Sequence, residues 1–238
     1  MKVASLTDIG RHRKRNEDSV RAGVTENLAY AIVADGMGGH LAGEVASSMA
    51  AELIESEFVR MNPKTDNLIT KIKGAYIDAN SKIYKYAEDN SKVMGMGTTA
   101  VSAIIEDGVL VVANVGDSRA YMIGKRDITQ VSKDHSYVQQ LVDSKTITKE
   151  QAMNHPKRNY ITRAMGTEEG IITDVFVKEY NGETILLCSD GLCGLVTDKE
   201  IFDIVKKTDD LEKTAQILIK TANEKGGTDN ITVALMKG

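Results

Sequence analysis

The sequence predicts an α+β fold in which helices pack on largely antiparallel sheets. Short apolar runs of strand length recur along the chain, and two long helical patterns separate the first of them from the rest. The element order also lacks the strict strand–helix alternation of a parallel doubly wound sheet. With 238 residues, two prolines and no Gly/Ser-rich tract to act as a linker, the chain reads as a single domain over residues 1–238.

Four apolar runs each meet an acid at one end. LAYAIVADG reaches Asp35, VLVVANVGD reaches Asp117, TILLCSDG reaches Asp190, and TDNITVALM starts at Asp229. Their near-continuous apolar character predicts strands covered on both faces. From Ala42 to about Arg60, Val45, Met49, Leu53 and Ile54 recur at helical spacing. From about Asp66 to Glu88, Leu68, Ile72, Ala75, Ala79 and Ile83 form a second apolar stripe. The run TTAVSAIIEDGVLVVANVGDSRAYMI reads as a meander that turns at Asp107-Gly108. The polar segment Ser136 to Gly166 carries two capping-box signatures, Ser136 with Gln139 and Thr148 with Gln151, and reads as a small flap outside the core. Thr197 with Glu200 caps a helix ahead of Ile201 and Ile204. A last helix over about Asp210 to Glu224 stops at Gly226-Gly227.

The charge balance is 30 Lys and Arg against 34 Asp and Glu, net −4, which argues against a nucleic-acid partner. The most apolar stretches are too short to cross a bilayer, so no membrane insertion is expected. The only cysteines, Cys188 and Cys193, fit neither a disulfide framework nor a zinc ribbon. A cytoplasmic protein is expected, since no targeting segment is visible.

One local exception stands out. GRHRKRNEDS sets Arg11, Arg13, Lys14 and Arg15 around His12 and then turns at once to Glu17 and Asp18. A ligand that is a phosphate and also needs metal ions requires both signs in one place. The strand-end acids support that reading. An Asp-Gly after a strand is most often a turn, and Asp107-Gly108 is read as that alone. Asp35, Asp190 and Asp117 leave strand C-terminal ends, whereas Asp229 enters an N-terminal end. In antiparallel neighbours these ends share one sheet edge. Close carboxylates repel and force protonation unless a divalent cation intervenes. An all-oxygen set without histidine or cysteine ligands favours Mn²⁺ or Mg²⁺ over zinc, and Gly36 lets its carbonyl approach an ion.

The blocks TDIGRHRKRNEDS, VADGMGGHLAGEVAS, GTTAV, ANVGDSRAY, KDHS, ITRAMG, CSDGL and GGTDNITV occur in an order that resembles the metal-dependent serine/threonine protein phosphatases, the PPM or type 2C family, in its compact bacterial form. The resemblance runs from Thr7 to Val233. It implies a four-layer α-β-β-α sandwich of two mainly antiparallel sheets flanked by helices, with a small flap subdomain at about 136–166. It implies hydrolysis of phosphoserine and phosphothreonine monoesters by a hydroxide bridging two Mn²⁺ or Mg²⁺ ions, in a monomer that reverses a Ser/Thr protein kinase. By position, Asp35 bridges the ions and Gly36 offers its carbonyl to one. Asp190 and Asp229 hold the other, while Glu17 and Asp18 act through water. Asp117 belongs to a weak third site. Arg13 grips the substrate phosphate and contacts substrate alone, whereas Arg11, Lys14 and Arg15 are rim charges that steer anionic substrate. Arg163 is a candidate substrate contact. Two departures accompany the match: Met37 follows Asp35-Gly36 where many members have a histidine, with His40 further on, and Gly194 stands where some members carry an acid. The competing readings are a pseudophosphatase that only docks phosphoproteins and a metallohydrolase of small phosphate esters.

Overall fold

The computed structural model describes residues 1–38 and 42–238. The apolar runs fold into two antiparallel sheets, with strands numbered in chain order. The first sheet has the order β1 (Lys2–Asp8), β11 (Ile231–Lys237), β10 (Thr184–Cys188), β7 (Arg119–Ile123) and β8 (Ile128–Gln130). The second has the order β2 (Asp18–Val24), β3 (Ala29–Met37), β5 (Ala100–Glu106), β6 (Val109–Val115) and β9 (Asp174–Glu179). The short β4 (Gly97–Thr98) pairs with the end of β3.

Central strands send alternate residues to different cores, as a period of two requires. Ala31 and Val33 of β3 meet Ile185 and Leu187 of β10 between the sheets. Tyr30 and Ile32 face the other way, toward Ile54 and Phe58 of α1 (Ala42–Arg60) and Tyr76 of α2 (Leu68–Asp89). On the far side, Leu186 and Leu235 pack under Ile201 of α6 (Asp198–Val205) and Leu218 of α7 (Leu211–Glu224). The result is the expected α-β-β-α sandwich. Among the described residues, no helix is long and apolar enough to cross a membrane.

The caps explain where several elements stop. Thr148/Gln151 and Thr197/Glu200 form complete capping boxes. Ser136 accepts from the Gln139 N–H without the return bond, so only half of that expected box exists. The β5–β6 hairpin turns through Asp107 and Gly108, both at positive φ, as a tight Asp-Gly turn demands.

Two expectations need correction. The deep face of α1 is mostly small: Val45, Met49 and Leu53 are only partly buried, while Ala46, Ser47, Ala50 and Ala51 lie at the core together with the expected Ile54 and with Phe58. Small side chains let this helix approach β3 and β2 closely, so Val45, Met49 and Leu53 are displaced to its flank. Four strands, β1, β2, β8 and β9, are also absent from the set of apolar runs. Each is a sheet edge with polar or exposed positions, as in β1 and β9.

Candidate metal centre

The ladders carry the acids to one end of the sandwich. Asp18 stands directly opposite Asp35 in the β2/β3 register. Cys188 stands opposite Val233 in β10/β11 and opposite Arg119 in β10/β7. Asp190, Asp229 and Asp117 therefore leave or enter their strands at one common edge. The acids come from both sheets, so the centre straddles the seam between them.

Backbone contacts hold this seam closed. Asn230 donates to the Ile9 and Arg15 carbonyls (3.0 and 2.8 Å) and accepts from the Glu17 N–H (2.8 Å). The Glu17 carbonyl in turn accepts from the Gly36 N–H (3.1 Å) and the Ser47 hydroxyl (2.6 Å). A Cβ at Gly36 would run into the Gly43 carbonyl, so the approach of α1 to the strand end requires glycine there. Ser189 donates to Asp18 Oδ2 (2.8 Å), and the Thr98 hydroxyl donates to the Asp35 carbonyl (2.9 Å). Asn230, Ser189 and Thr98 were not singled out from sequence. Ser189 and Asn230 are signalled only by adjacency to Asp190 and Asp229, and Thr98 only by its place in the GTTAV block.

The basic knot divides in two. Arg11 is anchored to α7, its Nε donating to the Asn223 carbonyl (2.9 Å) and its backbone N–H to the Gly227 carbonyl, so this exposed charge also staples the loop. Arg13 Nη2 donates to Asp229 Oδ2 at 2.7 Å, with its side chain about half exposed. The expectation that Arg13 touches substrate alone is thus corrected: its fork also neutralises an acid of the centre.

The electrostatics are those of crowded carboxylates. Desolvation, then the charges of Asp18, Asp190, Asp117 and Asp229, hold the Asp35 carboxyl well above its ordinary range. Burial is the first cause for Asp18, pushed up to about 7, and for Asp190, pushed up to about 6, with neighbouring acids adding to it. Burial and Asp190 also raise Asp117, and burial raises Glu17. Two buried oxygens, Asp18 Oδ1 and Asp190 Oδ1, have no hydrogen-bond partner. Among the described residues, no three His, Cys, Asp or Glu side chains enclose an ion by themselves. Carbonyls and waters complete the shell of a hard cation. Orphaned oxygens, an all-oxygen donor set and raised carboxyls together fit a divalent cation.

Residues 136–166 lie beside this centre, with α3 (Tyr137–Asp143) and α4 (Lys149–Met153) burying none of their side chains fully. Between them and the sandwich lies a cavity of about 400 Å³ reaching from Val138, Val142 and Met153 to Asp117 and Asp190. Arg163 does not face an open cleft: it donates to Asp174 (2.9 Å) and to the Ile172 carbonyl (2.9 Å). At its floor, Arg119 makes a forked ion pair with Asp134 (2.7 Å at the shortest). His40 lies outside the described residues.

This arrangement has close counterparts. The protein phosphatase 2C family profile matches residues 10–231. The serine/threonine phosphatase stp of Listeria monocytogenes is 42% identical over 237 residues, covering 97% of this chain and 93% of the relative. The crystal structure of serine/threonine phosphatase Stp1 from Staphylococcus aureus superposes with a TM-score of 0.93 at 38% identity, covering all of this chain and 95% of the other. The catalytic domain of serine/threonine protein phosphatase PstP, solved with two manganese ions, superposes with a TM-score of 0.88 at 35% identity, covering 98% and 96% of the two chains. The seam-straddling carboxylates, the four-layer sandwich and these similarities make one conclusion plain: this chain belongs to the protein phosphatase 2C family.

Proposed function

We propose that this protein is a metal-dependent serine/threonine phosphatase that hydrolyses phosphoserine and phosphothreonine in proteins. The observation that carries the reading is the meeting of Asp18, Asp35, Asp117, Asp190 and Asp229 at one end of the sandwich, across the seam between the sheets, each of the first four raised by burial and its neighbours, with Arg13 alongside. Bound divalent cations supply charge neutralisation at the phosphoryl oxygens and activation of water at neutral pH. Asp35, with the Gly36 carbonyl beside it, would hold both ions. Asp190 and Asp229 would serve the second ion, Glu17 and Asp18 would act through water, and Asp117 would contribute to a weak third site. Manganese is the cofactor that the PstP structure suggests; magnesium has the same hard-oxygen preference.

Arg13 orients the phosphate. One of its donors holds Asp229, and the planar guanidinium presents further N–H groups to phosphoryl oxygens. The cavity toward the flap gives the peptide on either side of the phosphoresidue a place to lie. A cytoplasmic monomer acting on the products of a Ser/Thr kinase completes the reading. Phosphate release from a phosphothreonine peptide, measured with manganese and with EDTA, tests it. Turnover only with the metal supports it, and full turnover in chelator or none in either condition overturns it.

A further inference from the structure

His135, in the KDHS block, has no part in the chemistry proposed above, yet it sits where the flap meets the acid centre. Its side chain is only 8% exposed. Its Nδ1 accepts the Gly116 N–H at 3.0 Å, and the His135 backbone N–H donates to the Gly116 carbonyl at 2.9 Å. Gly116 immediately precedes Asp117 and has φ +107, and a Cβ there would run into Thr99. The turn that aims Asp117 is therefore clamped on both backbone groups by one histidine.

The other edge of the ring reaches the flap. Nε2 lies 3.2 Å from Asp174 Oδ2 and 3.1 Å from Arg163 Nη1. Because Nδ1 accepts, the neutral ring carries its proton on Nε2 and donates to Asp174. Arg163 is then a neighbouring cation, its N–H groups going to Asp174 Oδ1 and the Ile172 carbonyl. Burial, with that cation nearby, keeps the imidazole below its ordinary range, against the pull of Asp174. The His135 carbonyl accepts the Thr162 N–H at 2.7 Å, and Ser136 bridges Ile161 in the next step of the same ladder. Both stalks of the flap thus start from this residue.

We propose that His135 is a positioning residue with two separable edges: Nδ1 fixes the Gly116-Asp117 turn of the acid centre, and Nε2 with Asp174 fixes the flap over the cavity. The kinetic arm of the following test rests on the phosphatase reading, and the other two arms do not. Asparagine reproduces the acceptor near Nδ1 but is too short to reach Asp174, while glutamine reaches Asp174 but leaves Gly116 without its acceptor.

Three readouts on the full chain separate the edges: hydrogen exchange at the Gly116 amide, tryptic cleavage after Lys145 and Lys149 in the flap, and KM for a phosphothreonine peptide against p-nitrophenyl phosphate. For His135→Gln, Gly116 exchange accelerates about three- to tenfold, the range of one lost neutral hydrogen bond, while flap cleavage stays near wild type. For His135→Asn the pattern reverses: flap cleavage accelerates and peptide KM rises about three- to tenfold, while Gly116 stays protected and the small ester is unaffected. Asp174→Ala, which leaves His135 in place, reproduces the asparagine pattern and guards against a fold defect at His135. The proposal is overturned if asparagine and glutamine move the same readouts, or if none of the three variants moves any. Absence of phosphatase activity in the wild type would refute the functional reading but leave the exchange and proteolysis arms decisive.

Discussion

In chelator, Asp18 opposes folding at neutral pH. The carboxyl is 8% exposed, one of its oxygens has no partner, and burial together with Asp190 and Asp229 lifts it from 3.8 to about 7. A folded-state value above the unfolded one means that the folded chain binds the extra proton between those limits. Stability of the metal-free protein therefore falls as pH rises from about 4 to about 7 and levels off above that, the reverse of the usual paired carboxylate. A rise of roughly three decades, at about 1.36 kcal/mol each, sets an upper limit of about 4 kcal/mol at pH 7.5. The acids of the centre share protons, so about half of that is expected to be recovered by removing one charge. Asp18→Asn keeps the shape and an acceptor for the Ser189 hydroxyl. It is expected to stabilise the EDTA-treated protein by about 2 kcal/mol at pH 7.5, or about 4–8 °C in Tm for a chain of this size. Manganese should narrow the difference, because a ligand at about 100 times its Kd adds about 2.7 kcal/mol to the wild type, and the variant loses part of that. Thermal melts at pH 5.5 and 7.5, with EDTA and with manganese, measure all four values. A wild type in EDTA that is no less stable at pH 7.5 than at 5.5, or an Asp18→Asn variant no more stable than wild type in EDTA, refutes the reasoning.

The remaining predictions concern activity. Asp35→Asn, Asp190→Ala and Asp229→Ala should each lower phosphopeptide turnover at least about 10²-fold at saturating manganese, and near-normal rates in any one would remove that residue from the ion-holding set. Arg13→Ala should cost about 1.5–3 kcal/mol in kcat/KM, typical of a hydrogen bond to a charged group, and should not weaken manganese binding, since losing the cation beside Asp229 leaves more negative charge for the ion; an equal effect from Arg11→Ala at the same ionic strength would contradict this. Shortening the loop Lys145 to Lys149 should change the preference among phosphopeptides while sparing p-nitrophenyl phosphate, and equal losses on both substrates would make the segment a support of the core.

What the sequence revealed and concealed has a physical pattern. Strands buried on both faces, such as β3 and β10, are continuous apolar runs, and their acid ends were readable because a charge there breaks the run. The strands that escaped notice are the four sheet edges, where pairing comes from one neighbour and side chains alternate or face solvent. The α1 face misled because hydrophobic size identifies a stripe, whereas a helix pressed against a sheet needs small residues at the contact. Within the centre, acids are legible because charge is rarely spent on a strand end without cause. Asn230, Ser189 and His135 are not, since a neutral polar group takes its meaning only from the groups it meets across more than a hundred residues or, for His135, across the intervening β7–β8 hairpin.

The position of β11 has a further consequence. It lies between β1 and β10, and its register with β1 runs from Lys2↔Lys237 to Asp8↔Ile231. Until β11 inserts, the first sheet is in two pieces, Asp229 and Asn230 are absent from the seam, and the loop bearing Arg13 keeps only its Arg11 anchor to α7. Closing contacts this distant in sequence is a late and entropically costly event. A chain still emerging from the ribosome, or clipped ahead of Thr228, therefore displays most of the sandwich but no finished hydrolytic centre. Insertion of β11 acts as a safety catch, coupling the first moment of activity to closure of the first sheet.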